Sequence, residues 1–350
     1  MIKHNIIFVG CGAIAYRWLD HITKRDDCKI LAIVEKNPAN AKRYMDKYGI
    51  ECNVYEDMDE ALAKEKGDLL IDLTFVTVHS SVVTKALRAG YDVFGEKPMA
   101  FTVDQVNDIM QAVKETGKHY FVMQNRRFID QVKKIKELLA TGICGAPVYL
   151  TGEIFVPADM GSIRNDFKYP QLQDNNIHSF DLARYLVDGK PKSVHYHSFR
   201  PKGSMYTGDS ACDAVFEFDN DLVYSFRGYN GAEACWTSWD NVWRIVCEKG
   251  TICWDGEGDV KYQYFDEAGD IYRGKGFHEG VIKKPDVVRD QHDGALEDLF
   301  DALETGRKPG TDCTDNIYSI AMVLASVKSA DEHRKVEIIV NDTYPYLTLK

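Results

Sequence analysis

The stretch that decides the fold is Ile6-Ile7-Phe8-Val9-Gly10-Cys11-Gly12-Ala13-Ile14-Ala15, an apolar run followed by closely spaced small residues. The run has the length and composition of a buried parallel strand. Gly10 permits a tight turn, Gly12 has no Cβ to obstruct a ligand, and Ala15 lets helix and strand pack closely. Backbone N–H groups at the start of the next helix favour a negatively charged phosphate. The pattern G-x-G-x-x-A therefore predicts a dinucleotide site at this turn.

A second run supports a bound dinucleotide over the alternative, a strand–helix turn that binds nothing. Residues 30–34 are apolar and end at Glu35, about twenty residues after the glycines, which is the usual spacing of an acidic ribose ligand. At this position Glu35 binds the ribose hydroxyls and repels a 2′-phosphate, which predicts NAD as the cofactor. The alternative is that Glu35 is an ordinary solvated residue at the end of a strand. Lys36 follows and offsets part of that repulsion, so NADP is the alternative. The predicted cofactor contacts here are Gly10, Gly12, Ala13, Ile14, Glu35 and Lys36.

The composition is that of a globular protein, since 45% of the 350 residues are hydrophobic and 28% are charged. The formal net charge of −11 argues against nucleic acid or an anionic membrane surface as a partner. No apolar run approaches the roughly 20 residues that span a bilayer, and we see no signal peptide. We therefore predict a cytoplasmic protein whose partner is a small-molecule substrate.

Nine cysteines are scattered along the chain without any C-x-x-C pair. An odd number in a chain of this size, with several inside predicted strands, indicates reduced thiols in a cytoplasm. His195 and His197 face the same side of a predicted strand, but no further ligand cluster accompanies them. We therefore predict no metal site.

Strands and helices alternate through the first third of the chain. This order predicts a parallel sheet with right-handed crossovers, that is, a Rossmann domain over residues 1–123. The predicted strands cover residues 4–10, 29–35, 69–74, 92–96 and 120–123. The first predicted helix ends at about residue 24, a short one ends near residue 67, and the others cover 38–48, 80–89 and 102–116.

Strands dominate after Gln124, with a helix before them and two near the end of the chain. Consecutive strands joined by short turns predict an α/β domain over residues 124–350 with a large, mainly antiparallel open sheet. Aromatic residues along these strands (Phe216, Phe218, Tyr224, Phe226) favour a homodimer or homotetramer. The predicted strands are 148–156, 193–200, 212–218, 222–229, 241–247, 250–254 and about 336–338; the predicted helices are 129–141, 288–304 and 314–333. No apolar period is visible in 205–209 or 269–284.

The tripeptide Glu96-Lys97-Pro98 follows a predicted parallel strand. Ligands of open α/β sheets bind outside the carboxyl ends of the strands, so Lys97 is aimed at the same crevice as the glycines. A lysine there can stabilise a substrate hydroxyl or ketone oxygen during hydride transfer. The alternative is a surface cation that pairs with Glu96.

A second group of chemical residues lies in Asp174-Asn175-Asn176-Ile177-His178-Ser179-Phe180-Asp181. On a helix, Asp174, His178 and Asp181 share one face. A histidine beside carboxylates is a good proton acceptor near pH 7. The alternative is a helix N-terminus with Asp174 as cap and His178 as a core residue.

Taken together, the glycine turn, Glu35, Glu96-Lys97-Pro98 and Asp174-x-x-x-His178 resemble the glucose–fructose oxidoreductase/inositol dehydrogenase/MocA (Gfo/Idh/MocA) family over nearly the whole chain. The resemblance implies a Rossmann domain followed by an open-sheet α/β domain, and activity on sugars, inositols or related polyols with NAD or NADP. It implies that Lys97 is the catalytic lysine, that His178 is the acid/base and that Asp174 is its partner or a substrate ligand. Thr74 and His79 match a family segment near the nicotinamide, and Glu96 and Lys97 belong to the same cofactor set.

The expected substrate pocket departs from the family pattern, since Asn175 and Asn176 replace residues that are more often small or apolar. These changes indicate an unusual substrate. An arginine could bind a carboxylate or phosphate on a sugar, and a tryptophan could stack on a pyranose face. The further pocket candidates are Arg126, Arg127, Arg164, Trp236 and Trp239.

These observations predict an NAD(P)-dependent oxidoreductase that transfers a hydride between a nicotinamide cofactor and a sugar, inositol or related polyol. One alternative is a glycosidase that uses NAD without net redox change. The other is a non-enzymatic dinucleotide-binding sensor, against which the joint presence of Lys97, Asp174 and His178 argues.

Overall fold

The computed structural model describes residues 2–158, 165–287, 291–341 and 343–350. The chain forms two compact units. The first contains the chain through Asn125 together with His292–Ile317 and Asn341–Leu347, and the second contains Arg126–Gln291, Tyr318–Val340 and Thr348–Lys350. The sequence prediction assigned everything after residue 123 to the second domain, whereas two late segments pack with the first unit.

The first unit is built on a parallel sheet of strand order β3-β2-β1-β4-β5-β6. Successive strands are added on one side of β1 up to β3 and on its other side from β4 onward, where β4 pairs with β1. Such a reversal opens a crevice at the carboxyl ends of the two central strands. β3 was not predicted, because its three residues are exposed or half-buried and give no apolar run. The strands are β1 His4–Val9, β2 Cys28–Val34, β3 Asn53–Tyr55, β4 Leu69–Asp72, β5 Asp92–Gly95 and β6 Tyr120–Val122.

Helices connect these strands, and local signals set their ends. Pro38 is the first helical residue of α2, where its missing N–H costs nothing, and Gly49 ends α2 with a φ of 66°. The Thr102 side chain caps α5 by accepting from the N–H of Gln105. α4 begins four residues earlier than predicted. These helices are α1 Ala15–Ile22, α2 Pro38–Tyr48, α3 Met58–Lys64, α4 Val76–Arg88 and α5 Val103–Thr116.

Late segments complete the first unit at the edge of its sheet. The N–H of Val122 in β6 donates to the carbonyl of Thr311 at 3.1 Å, and Phe121 forms a bridge with Asp312. The Phe300 ring lies 5.5 Å from the ring of Phe94. These contacts cover an edge strand that would otherwise present unpaired backbone groups.

The second unit is built on a sheet of order β14-β13-β12-β11-β7-β10-β9-β8-β15-β16, in which β7 and β10 are parallel. β14 lies inside the stretch 269–284, where the sequence showed no apolar period, because its residues are exposed or only half-buried. The strands are β7 Pro147–Phe155, β8 Pro191–Phe199, β9 Ala211–Phe218, β10 Val223–Tyr229, β11 Val242–Cys247, β12 Gly250–Trp254, β13 Val260–Tyr264, β14 His278–Ile282, β15 Val336–Val340 and β16 Leu347–Leu349.

One face of this sheet forms the core of the second unit. The ring of Phe180, in the helix Asn176–Val187 (α7), lies 4.8 Å from that of Phe216 and 5.2 Å from that of Phe226. The aromatic residues that suggested an oligomer from the sequence are therefore buried inside the unit, so they carry no argument for an interface. The remaining helices of the chain are α6 Asp130–Ala140, α7 Asn176–Val187, α8 Gln291–Thr305 and α9 Cys313–Glu332.

We find no helix, within the residues that the structure describes, that is long and apolar enough to cross a membrane.

Candidate functional site

The turn after β1 requires glycine at one position and leaves open space at another. Gly10 has a φ of 92°, and a Cβ added there would lie 2.8 Å from the carbonyl oxygen of Leu73. The turns after β1 and β4 therefore approach too closely for any other residue. A Cβ added at Gly12 would meet nothing within 4 Å, so the space beside this backbone is open.

Glu35 joins this turn to the start of α2. Its carboxylate accepts the N–H of Cys11 at 2.7 Å and the N–H of Asn37 at 2.9 Å. Burial and the negative charge of Glu35 raise the pKa of the Cys11 thiol to about 12, which keeps that thiol protonated. Lys36 is exposed. A carboxylate beside an open glycine turn fits the ribose and diphosphate of a dinucleotide.

We expect Glu35→Gln to weaken the discrimination between NAD⁺ and NADP⁺. The variant keeps the shape of the side chain but removes a charge that would repel a 2′-phosphate, and such a repulsion near a surface is worth on the order of 2 kcal/mol. The ratio of kcat/KM for NADP⁺ to that for NAD⁺ should rise roughly 10-fold or more. Asp46→Asn, which removes an exposed carboxylate from α2, is the control. An unchanged ratio would show that Glu35 does not select the cofactor.

A buried histidine connects the turns that follow β4 and β5. Nδ1 of His79 lies 3.0 Å from the carbonyl oxygen of Pro98, and Nε2 lies 3.0 Å from that of Thr74. The Thr74 turn is also fixed by Asp72, whose carboxylate accepts from the N–H of Thr74 at 3.0 Å and from its hydroxyl at 2.6 Å. His79 is only 1% exposed, so we assign it to holding these two turns in place.

Lys97 follows β5, and its neighbour Glu96 is anchored inside the unit. Glu96 is 8% exposed, and its carboxylate accepts from Trp18 Nε1 at 2.8 Å and from the N–H of Lys97 at 3.3 Å. The Lys97–Pro98 peptide bond is cis. Trp18 was not predicted as a site residue, because its place on the buried face of α1 is equally typical of a core residue.

In the second unit, Asp174 precedes the helix that carries His178. Asp174 lies in a π-helical turn, Gln171–Asn175, and α7 begins at Asn176. The sequence predicted one regular helix through both residues; the structure inserts this wider turn, a feature that often occurs at functional sites. Asp174 is buried and His178 is half-buried. Asp181, three residues after His178 on α7, belongs to a buried cluster.

That cluster is formed by Asp181, Arg127 and Ser319. Nε and Nη2 of Arg127 donate to the two oxygens of Asp181 at 2.7 and 2.6 Å, and the hydroxyl of Ser319 donates to the same carboxylate at 2.6 Å. A bidentate ion pair of this kind is a sufficient structural reason for Arg127, which the sequence proposed as a substrate ligand.

Arg126 has a different partner, Asp240, in the loop before β11. Its Nε lies 3.2 Å from Oδ1 of Asp240. Burial lowers the pKa of the Arg126 guanidinium and raises the pKa of the Asp240 carboxyl, and in each case the charge of the partner opposes the shift. The next residue, Asn241, accepts from the hydroxyl of Ser179 at 3.0 Å. The loop thus contacts α7 at the residue that follows His178. No sequence motif predicts this contact between distant segments.

The same loop displays the predicted tryptophans. Trp236 is 59% exposed and Trp239 is 46% exposed. Cys235 and Asn241, on either side of the two tryptophans, have positive φ values of 50° and 67°, which non-glycine residues adopt rarely. Arg164, the remaining predicted substrate residue, lies outside the described residues.

Within the described ranges, one group of side chains has the spacing of metal ligands: His4, Asp27 and Glu304. Both carboxylates already have cationic partners, since Nη2 of Arg25 lies 2.8 Å from Asp27 and 3.0 Å from Glu304. Lys3 lies 2.8 Å from Glu304. This cluster is balanced in charge by the protein's own side chains.

Comparison with known proteins matches both units to one family. Residues 4–124 match the description "Oxidoreductase family, NAD-binding Rossmann fold", and residues 132–253 match the "GFO/IDH/MocA C-terminal domain". The chain belongs to the GFO/IDH/MocA family. The predicted GFO/IDH/MocA membership, the fold class and the nicotinamide dinucleotide cofactor are therefore confirmed.

One relative is distant in sequence but matches over nearly its whole length. The myo-inositol 2-dehydrogenase of Thermotoga maritima is 23% identical over 337 residues, which cover 94% of this chain and 97% of that protein.

An oxidoreductase from Agrobacterium radiobacter, solved with NAD⁺, L-tartaric acid and magnesium, superposes with a TM-score of 0.85 at 17% identity over 96% of this chain and 98% of its own. The WlbA dehydrogenase from Bordetella pertussis, solved with NADH and UDP-GlcNAcA, gives 0.81 at 18% identity over 97% and 99%. At these identities, the two comparisons show that the fold is shared.

Proposed function

We propose that this oxidoreductase transfers a hydride between NAD(H) and a hydroxyl-bearing carbon of a sugar, inositol or related polyol. The observation that carries the proposal is the anchoring of Lys97: it follows β5 in the unit that holds the glycine turn, and its neighbour Glu96 is hydrogen-bonded to the helix that follows that turn. A cation held at the carboxyl edge of a dinucleotide-binding sheet is suited to a reacting oxygen. The myo-inositol dehydrogenase named above supports the substrate class.

The proposed chemistry divides proton and hydride between different groups. Lys97 binds the substrate oxygen and stabilises it as its charge changes, and His178 accepts the hydroxyl proton. Asp174 orients His178 or binds a neighbouring hydroxyl. When bound, the dinucleotide supplies the acceptor for the hydride of the carbinol carbon. The products of oxidation are a ketone or lactone, the reduced cofactor and one proton.

We further propose NAD as the preferred cofactor, with Glu35 as the selecting group and Gly10, Gly12, Ala13, Ile14 and Lys36 lining the same turn. The support for NAD is the position of the Glu35 carboxylate, 2.7 Å from the N–H of Cys11 at the glycine turn. Thr74 and His79 support the nicotinamide side through the turns that they hold. Arg126, the loop tryptophans and Asn175 are the proposed substrate contacts beside Asp174 and His178.

We also expect a cytoplasmic homodimer or homotetramer. All nine cysteines are free thiols, which suits a reducing compartment. The sheet face opposite α7 exposes apolar side chains of β7, β8 and β9, namely Tyr149, Phe199 and Val215. Such a surface favours association with a second copy. Sedimentation velocity on the purified protein distinguishes a monomer from these assemblies.

The experiment that tests the function follows absorbance at 340 nm with NAD⁺ or NADP⁺ and a panel of aldoses, inositols, sugar acids and glycosides. We expect NADH to accumulate with one class of polyol. Release of an aglycone without NADH would instead identify a redox-neutral glycosidase. Tight dinucleotide binding with no turnover of any compound in the panel would favour a sensor and contradict the proposal.

A further inference from the structure

Trp18 lies on the buried face of α1, the helix that begins at the glycine turn. It is fully buried, and its indole Nε1 donates to Oε1 of Glu96 at 2.8 Å. An indole has one N–H donor and no acceptor, so this bond commits the polar group of Trp18 to the Glu96 carboxylate.

We propose that Trp18 is a positioning residue that orients Lys97 through Glu96. The inference rests on the proposed function, in which Lys97 binds the reacting oxygen. Because Trp18 is fully buried, we assign its effect to the carboxylate next to the lysine and not to contact with a ligand.

The Glu96 carboxylate transmits the position of the indole to the lysine. Oε1 accepts from Trp18, and Oε2 accepts from the N–H of Lys97 at 3.3 Å. Because the two oxygens belong to one planar group, a carboxylate fixed at Oε1 also fixes the direction of Oε2. The direction in which Oε2 meets the N–H of Lys97 therefore depends on a donor supplied by α1.

The backbone around Glu96 and Lys97 is held by hydrogen bonds that do not involve Trp18. An effect of Trp18 on the position of Lys97 can therefore be distinguished from an effect on folding. The N–H of Glu96 donates to the carbonyl of Asp72 at 2.9 Å, which continues the pairing of β5 with β4. The carbonyl of Pro98 lies 3.0 Å from Nδ1 of His79. Loss of the indole N–H therefore leaves the strand and the following turn in place and releases the Glu96 side chain.

The arrangement also connects two parts of the site. α1 begins at the turn whose N–H groups face the expected diphosphate, and the same helix carries Trp18 one turn later. A ligand that fixes the position of the N-terminus of α1 therefore also fixes the position of the indole donor that orients Glu96. We expect the position of Lys97 to be most sharply defined when the dinucleotide is bound.

The test begins with Trp18→Phe, which keeps a large aromatic ring and removes the donor. We expect kcat to fall roughly 10-fold, because small misplacements of a catalytic group are costly, while KM and the Kd for NADH stay within about twofold of the wild type. Tyr91→Phe is the matched control: it removes a buried hydroxyl that bonds to Gly67 and Glu65 in the same unit, away from Lys97. Its kcat should equal that of the wild type.

A double-mutant cycle with Glu96→Ala distinguishes positioning from general destabilisation. If Trp18 acts through Glu96, the double variant Trp18→Phe/Glu96→Ala has the kcat of Glu96→Ala alone, within about twofold. If Trp18 is only a core residue, the two losses multiply. Multiplied losses, or an unchanged kcat in Trp18→Phe, would overturn the inference.

A readout that needs no turnover separates this inference from the proposed function. The rate of acylation of Lys97 by a small reagent is measured by peptide mass spectrometry in the NADH-bound protein, with the exposed Lys42 as internal reference. We expect Trp18→Phe to change the Lys97 rate roughly threefold or more and to leave Lys42 unchanged. Equal Lys97 rates in variant and wild type would overturn the inference. Absent turnover in the wild type would bear on the function alone.

Discussion

Lys97→Ala is expected to lower kcat by roughly 100-fold or more while the Kd for NADH stays within about threefold of the wild type. The variant removes the cation that stabilises the reacting oxygen, but it leaves the glycine turn and Glu35 unchanged. Rapid-mixing absorbance at 340 nm measures the hydride-transfer step, and NADH fluorescence titration measures cofactor binding.

Two further variants give this result its meaning. Lys42→Ala removes an exposed lysine of α2 and should keep full activity. His178→Asn should lose a similar factor of roughly 100 if it takes the proton. Equal activity of Lys97→Ala and the wild type would contradict the proposed mechanism. A raised KM with an unchanged kcat would assign Lys97 to substrate binding alone.

Asp181→Ala is expected to lower the free energy of unfolding by about 3–5 kcal/mol, because it leaves a buried guanidinium without its counter-charge. The side chains of Arg127 and Asp181 are only 6% and 2% exposed. Urea denaturation followed by circular dichroism measures the loss. Glu153→Ala, which breaks an exposed pair with Arg227, is the control and should change stability by less than about 1 kcal/mol.

This measurement also decides between two roles for Arg127. A structural ion pair predicts that Arg127→Met is destabilised as strongly as Asp181→Ala, and that the double variant Arg127→Met/Asp181→Leu recovers part of the loss. A substrate ligand predicts a stable Arg127→Met protein with a raised KM. Retained stability in both single variants would contradict the structural role that the 2.6 and 2.7 Å contacts support.

The fold of the first unit could be predicted because its signals are local. Apolar runs of strand length, glycines at turns and caps such as Thr102 all act within a few residues. β14 could not be predicted in the same way, since an edge strand with exposed or half-buried residues has no buried face to impose an alternating pattern. The π-helical turn at Asp174 was missed because periodicity assumes a regular helix.

The candidate site could be predicted only where its residues are adjacent in sequence and form a short motif. The glycine turn and Glu96-Lys97-Pro98 are short motifs, and their places at strand ends follow from the order of elements. The contacts of Trp18 with Glu96 and of Arg126 with Asp240 join residues 78 and 114 positions apart, and each partner alone has an ordinary sequence context. Such pairs become visible only when the chain is folded.

The edge of the first sheet has a consequence for how the protein is made. When the ribosome has added residue 125, all six strands of that sheet have been synthesised. Thr311 and Asp312, which pair with β6, have not. Phe300, which packs against Phe94, is also still to come. The nascent first unit therefore waits through the synthesis of most of the second with an open edge and an uncovered aromatic surface. During that interval, the unpaired strand edge and the exposed rings make it prone to association with other chains.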